Sequence, residues 1–385
     1  MLITADLDRR SPLRGMSLRQ SAKAYQVSSL KRSIPMIRQP DLARILVLGV
    51  GGAGSNTVNR LMMSGITGVE CIAVNTDKQH LDSTRAHVKI LIGGKATEGY
   101  GTERSFQISG QAVQESIVEI SPLLDNVDVV FITAGLGGET GTVVAPVLAK
   151  LAREDGAVVV GAVTMPPRAE VEKHSLAVKG LEDLREACDT VAVVENDRVL
   201  ELFPTPTNDY AFSMADKIVA NMVKGISESL ATPSLSNIDF AEFKTVMKTG
   251  GIAIAAIGES SSPFRAEQAA RNALGSPLLR ADCSEATGAL IHVSGDEMLS
   301  LAEASRVADV ITENLRPGAF VTWGATVDSS IYDSLRVTLL LTGVKTSQLF
   351  NGFGVIPVEM YNLEPDVGTD QNLDLDLDLY QLENS

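Results

Sequence analysis

A glycine-rich segment that follows a short apolar run is the first feature of the chain that could do chemistry. The run Arg44–Val50 predicts a buried strand, Gly49-Val-Gly-Gly-Ala-Gly54 continues from it, and Asn56–Ser64 has helical spacing of apolar residues. Glycines let a backbone approach a ligand closely, and the free N–H groups at a helix start attract phosphate. Asp77 follows near the place where a dinucleotide-binding fold has its ribose acid. The segment predicts a phosphate loop, but by itself it also fits a nicotinamide enzyme or an ordinary tight turn.

A second glycine-rich segment follows another predicted strand. The strand Val127–Thr133 leads into Ala134–Thr142 (AGLGGETGT), which contains two threonine hydroxyls, and a helix is predicted at Val143–Arg153. A dinucleotide fold has no use for a second phosphate loop. Two loops on neighbouring strand ends instead suit a nucleoside triphosphate that is held from both sides. The segment around Lys95 lacks the glycine spacing of a Walker A loop.

The elements that position these loops alternate between strand and helix. Further strands are predicted at Val69–Val74, Ala157–Val163 and Thr190–Val194. This alternation predicts an α/β fold with a Rossmann-like parallel sheet that carries helices on both faces. Because ligands bind at the carboxyl ends of the strands in such sheets, both loops are expected at one edge.

Composition and pattern divide the chain into five segments. We predict a basic, disordered arm at 1–40, a nucleotide-binding domain at 41–207, a central helix at 208–231, a smaller C-terminal α/β domain with a mixed sheet at 232–345, and an acidic tail at 346–385. The arm has eight basic and two acidic side chains, whereas the tail has eight acidic side chains and no Lys or Arg.

The overall composition excludes several classes of protein. The 385 residues include 33 Lys and Arg against 48 Asp and Glu, a net charge of −15, which argues against a general nucleic-acid binder. No apolar run reaches the roughly 18 residues of a membrane-spanning helix, so no integral membrane segment is predicted. The cysteines Cys71, Cys188 and Cys283 have neither zinc nor disulfide spacing, which favours a reducing, cytoplasmic location.

An ordered set of motifs gives the chain a resemblance to a known family. Between and after the glycine loops lie Asn75-Thr-Asp-Lys-Gln79, Val163-Thr-Met-Pro166 and Asn196-Asp-Arg-Val-Leu200. The C-terminal region adds Asn237-Ile-Asp-Phe-Ala-Glu242 and Ile331–Val344. Over residues 41–345 this series resembles FtsZ, the tubulin-like family of cell-division GTPases, and we interpret the chain as a divergent, archaeal-type member.

The resemblance implies a pocket for GTP or GDP in which Mg²⁺ bridges the phosphates, without dedicated metal-binding side chains. The residues expected at the nucleotide are Gly51, Gly52, Ala53, Asn56, Asn75, Asp77, Gly137, Gly138, Glu139, Thr140, Gly141, Thr142, Glu170, His174, Asn196 and Asp216. Among these, Glu170 is expected to bind ribose, and Asn196 and Asp216 are expected to bind guanine. Without the resemblance, Asn196 could equally cap a helix and Asp216 could be a solvated helix residue.

The resemblance also implies that catalysis is shared between two subunits. The loop that begins near Thr232 would enter the neighbour's pocket, where Asp239 and Glu242, on one predicted helical face next to Asn237, would position the attacking water and accept its proton. The implied function is a GTPase that polymerises head to tail into division filaments at midcell. A second FtsZ paralogue and a membrane-anchoring protein on the acidic tail are further implied partners. The alternative is a non-hydrolysing scaffold that modulates another FtsZ.

Several positions depart from the pattern of the family. Glu139 and Val143 stand where the family has glycines, Glu242 stands where it has aspartate, and His174 stands where it has a phosphate-side arginine. The segment 94–106 lacks the family's glycine-rich loop at the γ-phosphate. These departures concern the efficiency of hydrolysis rather than the fold, and His174 is given no role of its own.

Overall fold

The computed structural model describes residues 43–101, 106–202, 208–279 and 283–344. The predicted arm at 1–40 and the predicted acidic tail at 346–385 lie outside these residues, as do residues 102–105 of the altered 94–106 segment. Between them the chain has an α/β fold, as predicted.

The strands form one continuous sheet of ten strands. They are β1 (Ile45–Val50), β2 (Val69–Asn75), β3 (Val88–Leu91), β4 (Val129–Gly135), β5 (Val158–Met165), β6 (Thr190–Glu195), β7 (Ile252–Ser260), β8 (Gly288–Gly295), β9 (Phe320–Val327) and β10 (Leu335–Thr342). Their order across the sheet is β3-β2-β1-β4-β5-β6-β7-β10-β8-β9. Strands β1 to β6 pair in parallel, and β10 is antiparallel to both β7 and β8. The parallel and mixed parts are joined because β6 pairs with β7.

Helices cover the sheet and connect its strands. They are α1 (Gly51–Met63), α2 (Lys78–Ser83), α3 (Phe106–Ile120), α4 (Glu139–Glu154), α5 (Val171–Ala187), α6 (Asn196–Leu202), α7 (Asn208–Ala231), α8 (Phe240–Lys248), α9 (Arg265–Leu274) and α10 (Leu301–Thr312). Helices α1 and α4 begin earlier than the apolar spacing predicts, because their first turns are built from the glycine loops themselves. In the described parts of the chain, every helix is too short or too polar to cross a membrane.

Alternating strand residues build a core on each face of the parallel part. In β1, Ile45 and Val47 belong to one apolar cluster, and Leu46 and Leu48 belong to the cluster on the opposite face. The first cluster also contains Val219 and other residues of α7, and it extends to residues of β8 and β10. The central helix α7 is therefore packed into the same core as both parts of the sheet.

The glycines of the first loop allow α1 to pack very closely on the sheet. A Cβ atom added to Gly49 would lie 2.3 Å from the carbonyl oxygen of Gly54. One added to Gly54 would lie 2.3 Å from the carbonyl oxygen of Thr133 in β4. Backbone atoms in a packed interior cannot move aside, so these contacts fix the position of α1 and of the loop at its start.

Substitution of Gly54 should therefore destabilise the fold. We expect Gly54→Ala to lower the free energy of unfolding by about 1–3 kcal/mol, the usual cost of overpacking. Gly110→Ala in α3 is the matched control, because a Cβ at Gly110 meets no atom within 4 Å. In urea denaturation the control should be neutral or more stable by up to about 1 kcal/mol. Equal stability of the two variants would contradict the packing argument.

Candidate functional site

A cleft of about 460 Å³ lies at the carboxyl ends of the central parallel strands. Its lining includes Val50 at the end of β1, Gly135 at the end of β4, Thr164 near the end of β5 and Asn196 directly after β6. Helix α7 closes one side through Phe212, Ala215 and Asp216. The cleft occupies the sheet edge that the sequence predicts for a ligand.

Two helices begin at this cleft without a side-chain cap. Helix α1 begins at Gly51 and α4 begins at Glu139, and in neither case does the preceding residue cap the helix with its side chain. The first N–H groups of an α-helix have no acceptor within the helix, and they lie at the positive end of its dipole. Gly52 and Ala53 of α1 and Gly138 to Gly141 at α4 line the cleft. Both helix starts therefore present hydrogen-bond donors to an anion.

Backbone angles and hydrogen bonds within the two loops give the loops their shape. Gly51 and Gly137 have φ angles of +69° and +90°, which favour glycine. The Thr142 hydroxyl accepts a hydrogen bond of 2.9 Å from the Gly137 N–H. The hydroxyls of Thr140 and Thr76 lie 3.0 Å apart, and this contact joins the second loop to the end of β2. A Cβ added to Gly138 would meet no atom within 4 Å, so this side of the loop is open.

The polar groups at the far end of the cleft are buried. The side-chain oxygen of Asn196 has no hydrogen-bond partner among the described residues, although the residue is only 6% exposed. Burial raises the pKa of Asp216 to about 6, against the opposing effects of Arg60 and of a hydrogen bond with the Asn56 side chain. An unpaired buried amide oxygen is costly unless a ligand pairs with it. An amide can donate and accept hydrogen bonds, and an ionised carboxylate can only accept them. Together they can bind an edge of a purine base that carries both donors and acceptors.

Two predicted residues near the start of α5 have different positions relative to the cleft. Glu170 lines it, and its carboxylate accepts a 2.6 Å hydrogen bond from Lys173 Nζ. His174 is not among the lining residues. Its Nδ1 donates to the Pro166 carbonyl at 3.1 Å, so in this structure His174 supports the loop that precedes the helix.

Asn75 and Asp77 also lie behind the cleft rather than on its surface. The Asn75 side-chain oxygen accepts from the N–H groups of Thr76 and Asp77, at 2.9 and 3.3 Å. Asp77 accepts from the His80 N–H at 3.0 Å and thereby caps α2. The Asn75 side-chain oxygen and the Asp77 carboxylate therefore hold the turn that joins β2 to α2, whereas the buried side-chain nitrogen of Asn75 has no hydrogen-bond partner among the described residues.

Several lining residues were missed by the sequence analysis. His80, Leu136, Thr164, Lys173 and Phe212 all line the cleft. Phe212 lies four residues before Asp216, so the spacing of neighbouring positions on a helix indicates it once Asp216 is chosen. Leu136 and Thr164 lie inside the segments Ala134–Thr142 and Val163–Pro166, which the sequence analysis singled out without assigning these two residues to the site. His80 and Lys173 carry no local pattern, because their place in the cleft depends on how separate elements meet.

The expected catalytic residues do not line the cleft of their own chain. Asp239 has an extended backbone (φ −67°, ψ 132°) and caps α8, accepting from the N–H groups of Ala241 and Glu242 at 2.8 and 3.0 Å. The expectation that Asp239 and Glu242 share one helical face is therefore wrong, because Asp239 precedes the helix. The carboxylate of Glu242 accepts from the Thr322 hydroxyl at 2.8 Å.

Asn237 closes the loop between α7 and α8. Its side-chain nitrogen donates to the carbonyl oxygens of Thr232 and Ser229, at 2.7 and 3.0 Å. Its side-chain oxygen accepts from the Ser234 N–H at 3.1 Å. Asp216 lies near the start of α7, and about 22 Å of helix separates it from Ala231, at 1.5 Å per residue. The loop and the cleft therefore lie at opposite ends of the central helix.

The fold and the cleft define a tubulin-like nucleotide-binding protein. Residues 44–204 match the model of the Tubulin/FtsZ family, GTPase domain, and residues 251–345 match the model of the FtsZ family, C-terminal domain. Cell division protein FtsZ 2 of Methanocaldococcus jannaschii is 46% identical over 311 residues, which are 80% of this chain and 82% of that protein. FtsZ 1 of Pyrococcus furiosus is 44% identical over 341 residues, covering 88% and 91% of the two chains.

Solved structures that are similar to this chain belong to the same family as its sequence relatives. An empty FtsZ dimer of M. jannaschii has a TM-score of 0.77 and 44% identity, and the match covers 80% of this chain and 90% of that chain. The chain belongs to the FtsZ family of tubulin-like cell-division GTPases, and the family resemblance predicted from the motifs is confirmed. Membership of this GTPase family implies that the chain binds GTP and GDP.

The raised pKa of Asp216 leads to a prediction about nucleotide affinity. Guanine would donate hydrogen bonds to this carboxylate, so it should bind the ionised form. Because the pKa is about 6, GTP affinity should be full at about pH 8 and should fall, approaching tenfold per pH unit, below about pH 6. Competition with fluorescent GDP measures this. Asp216→Asn should bind weakly with little pH dependence, and a wild-type affinity that is constant down to about pH 5 would contradict the prediction.

Proposed function

We propose that the protein binds GTP in the cleft and hydrolyses it when a second copy supplies the loop between α7 and α8. The observation that carries this proposal is the separation of the two halves of the site by the central helix. Asp239 and Glu242 lie at the end of α7 that is remote from the cleft of their own chain. A neighbour placed end to end would bring its own copies of these carboxylates to the cleft.

The cleft is suited to each part of GTP. The uncapped starts of α1 and α4 would bind the phosphates through backbone N–H groups. The partner-free oxygen of Asn196 and the carboxylate of Asp216 would bind guanine. Glu170, which also lines the cleft, would bind ribose. Leaving the buried amide oxygen of Asn196 without a ligand would be costly, which supports a bound nucleotide in this cleft.

Mg²⁺ would be held mainly by the phosphates. Among the described residues, no three His, Cys, Asp or Glu side chains are grouped so that they could hold a metal ion. Glu139 and Thr140 line the cleft at the second loop, and their oxygen atoms are ligands of the type that Mg²⁺ prefers. When bound, the ion would offset the negative charge that develops on the phosphates during hydrolysis.

Asp239 and Glu242 are proposed to act on the attacking water in the neighbour's cleft. Both cap hydrogen bonds of Asp239 go to Oδ1, and Oδ2 takes part in neither. The Thr322 hydroxyl holds Glu242 from the side of β9. Two carboxylates oriented in this way can position a water molecule and accept its proton. Asn237 would contribute by fixing the shape of the loop.

Assembly follows from the same geometry. An interface between two different surfaces, which does not close into a ring, extends into an open filament. We therefore propose head-to-tail filaments that act in cell division, in the cytoplasm at midcell. A second FtsZ paralogue and a membrane-anchoring protein that binds residues 346–385 are proposed as further partners. The scaffold alternative has no support from the comparisons.

Removal of the Asp239 charge should stop hydrolysis without loss of nucleotide binding. Asp239→Asn is the informative variant, because asparagine caps a helix as well as aspartate does. We expect unchanged GTP affinity and a turnover reduced by about 10²-fold to 10⁴-fold, the range for loss of a general base. Lys244→Ala, an exposed position on α8, is the control and should keep full turnover.

Mixtures of Asp239→Asn with Asp216→Asn test whether the site is shared. Asp239→Asn keeps an intact cleft and Asp216→Asn keeps an intact loop, so each variant alone should hydrolyse GTP poorly at a GTP concentration that Asp216→Asn binds weakly. If each site needs a neighbour's loop, the mixture should release phosphate faster than either variant at the same total protein, because some interfaces pair an intact loop with an intact cleft. Phosphate release equal to the mean of the two separate variants would show that each chain hydrolyses GTP alone.

Glu139 should weaken the binding of GTP by repulsion. It is the first residue of α4 and lines the cleft beside the open side of Gly138. Two like charges 4 Å apart repel by about 1 kcal/mol in water and about 4 kcal/mol at an effective dielectric constant of 20. We expect Glu139→Gly to bind GTP roughly tenfold more tightly, with a smaller gain for GDP, which lacks the γ-phosphate. Turnover should rise as well.

Glu139→Gln separates charge from size in this experiment. If repulsion dominates, this variant should gain most of the affinity that Glu139→Gly gains. Titrations of labelled GTP and GDP are made at low and at high magnesium. Weaker GTP binding by both variants, most marked at low magnesium, would show instead that Glu139 helps to hold Mg²⁺. Identical affinities throughout would show that its carboxylate does not act on the nucleotide.

A further inference from the structure

His80 lies between the phosphate side and the base side of the cleft. Its ring lies over the first loop, because a Cβ added to Gly52 would be 3.5 Å from Cε1 and 3.6 Å from Nδ1 of the ring. The other ring nitrogen, Nε2, is 3.1 Å from the side-chain oxygen of Asn56. The ring of His80 therefore contacts two positions of α1 that both line the cleft.

The backbone at His80 is held by hydrogen bonds from both directions. Its N–H donates to the Asp77 carboxylate at 3.0 Å, and the N–H of Asp77 in turn donates to the side-chain oxygen of Asn75. Its carbonyl oxygen accepts from the hydroxyls of Ser83 and Thr84, at 2.8 and 2.9 Å. Asn75 and Asp77, which do not line the cleft, thus fix the short helix that carries His80.

The contact with His80 determines which way the Asn56 amide points. An amide oxygen can only accept, so Nε2 of His80 donates to it, and the NH₂ group of Asn56 faces the other way. Asn56 and Asp216 line the same cleft, and the Asn56 side chain lowers the pKa of the Asp216 carboxylate against the effect of burial. Arg60, one turn further along α1, favours the same charge state, and its guanidinium donates to the Ser213 hydroxyl at 2.7 Å.

We propose that His80 is a positioning residue for guanine selectivity, which acts by fixing the orientation of the Asn56 amide in the part of the cleft that it shares with Asp216. The proposal rests on the proposed function, in which Asp216 accepts hydrogen bonds from guanine. It also assigns a purpose to Asn75 and Asp77. These residues act from behind the cleft, because the capped turn they build sets the position of the His80 ring.

Inosine triphosphate is the probe that isolates this effect. It lacks the 2-amino group of guanine, so a carboxylate that binds two donors of guanine can bind only one donor of hypoxanthine. We expect His80→Ala to reduce the preference for GTP over ITP by about fivefold to tenfold, the factor that one hydrogen bond contributes. Affinity for ITP should change less than affinity for GTP. Gln79→Ala, an exposed neighbour that does not line the cleft, is the control and should keep the wild-type preference.

Two further readouts distinguish positioning from a general structural role. Loss of the Asn56 hydrogen bond should raise the pKa of Asp216, so the pH midpoint of GTP binding should move upwards in His80→Ala. His80→Gln retains a side-chain donor and should restore part of the preference. In an Asp216→Asn background, His80→Ala should have no additional effect on the preference, because the group through which it acts has lost its charge.

The outcomes separate this proposal from the proposed function. A wild-type protein that binds GTP and ITP equally would overturn the guanine site itself. A wild-type preference that His80→Ala leaves intact, with the same pH midpoint, would overturn only the role of His80. An equal loss of affinity for both nucleotides, with the preference unchanged and a lower melting temperature, would show that His80 serves stability alone.

Discussion

Two uncapped helix starts that face one cleft are the feature on which the rest of the structure depends. Strands β1 and β4 are neighbours in the sheet, so the helices that follow them, α1 and α4, begin side by side. Of the described residues that line the cleft, Lys173 is the only lysine or arginine, and it is paired with Glu170. Three carboxylates, of Glu139, Glu170 and Asp216, share the same lining. Attraction for a polyanion therefore has to come mainly from backbone N–H groups, which explains why glycine is required where the backbone meets the ligand.

The parts of the fold that could be predicted from sequence are those governed by local rules. Aliphatic runs that end in glycine predicted the central strands, because a buried parallel strand needs apolar residues on both faces. The two loops could also be predicted locally, because glycine is the residue that allows a positive φ angle and a close approach of the backbone to a ligand. The proposed role of Asn196 and Asp216 came only from the family resemblance. The structure supports it independently, because both residues are buried at the cleft and the side-chain oxygen of Asn196 has no hydrogen-bond partner among the described residues.

The residues that sequence could not place are those whose surroundings come from distant parts of the chain. Asn75 and Asp77 belong to a motif of the family, and His174 stands where the family has an arginine. All three were expected at the nucleotide, and in the structure each forms a hydrogen bond that supports the adjoining loop. His80 belongs to no sequence pattern that indicates a site. Its contact with Asn56 arises only because the start of α2 packs against α1. The capping position of Asp239 was missed although the sequence carries a signal for it, because Asp is a preferred capping residue and Glu242 follows three residues later.

We propose that the nucleotide cleft and the catalytic carboxylates lie at opposite ends of α7 and come together only between subunits. The rate of GTP turnover per subunit, measured over a wide range of protein concentration with saturating GTP, tests this proposal. We expect a rate near zero at low concentration, where subunits are separate but still bind GTP, and a steep rise at concentrations where filaments can be sedimented. A rate per subunit that stays constant down to concentrations at which light scattering detects monomers alone would contradict it.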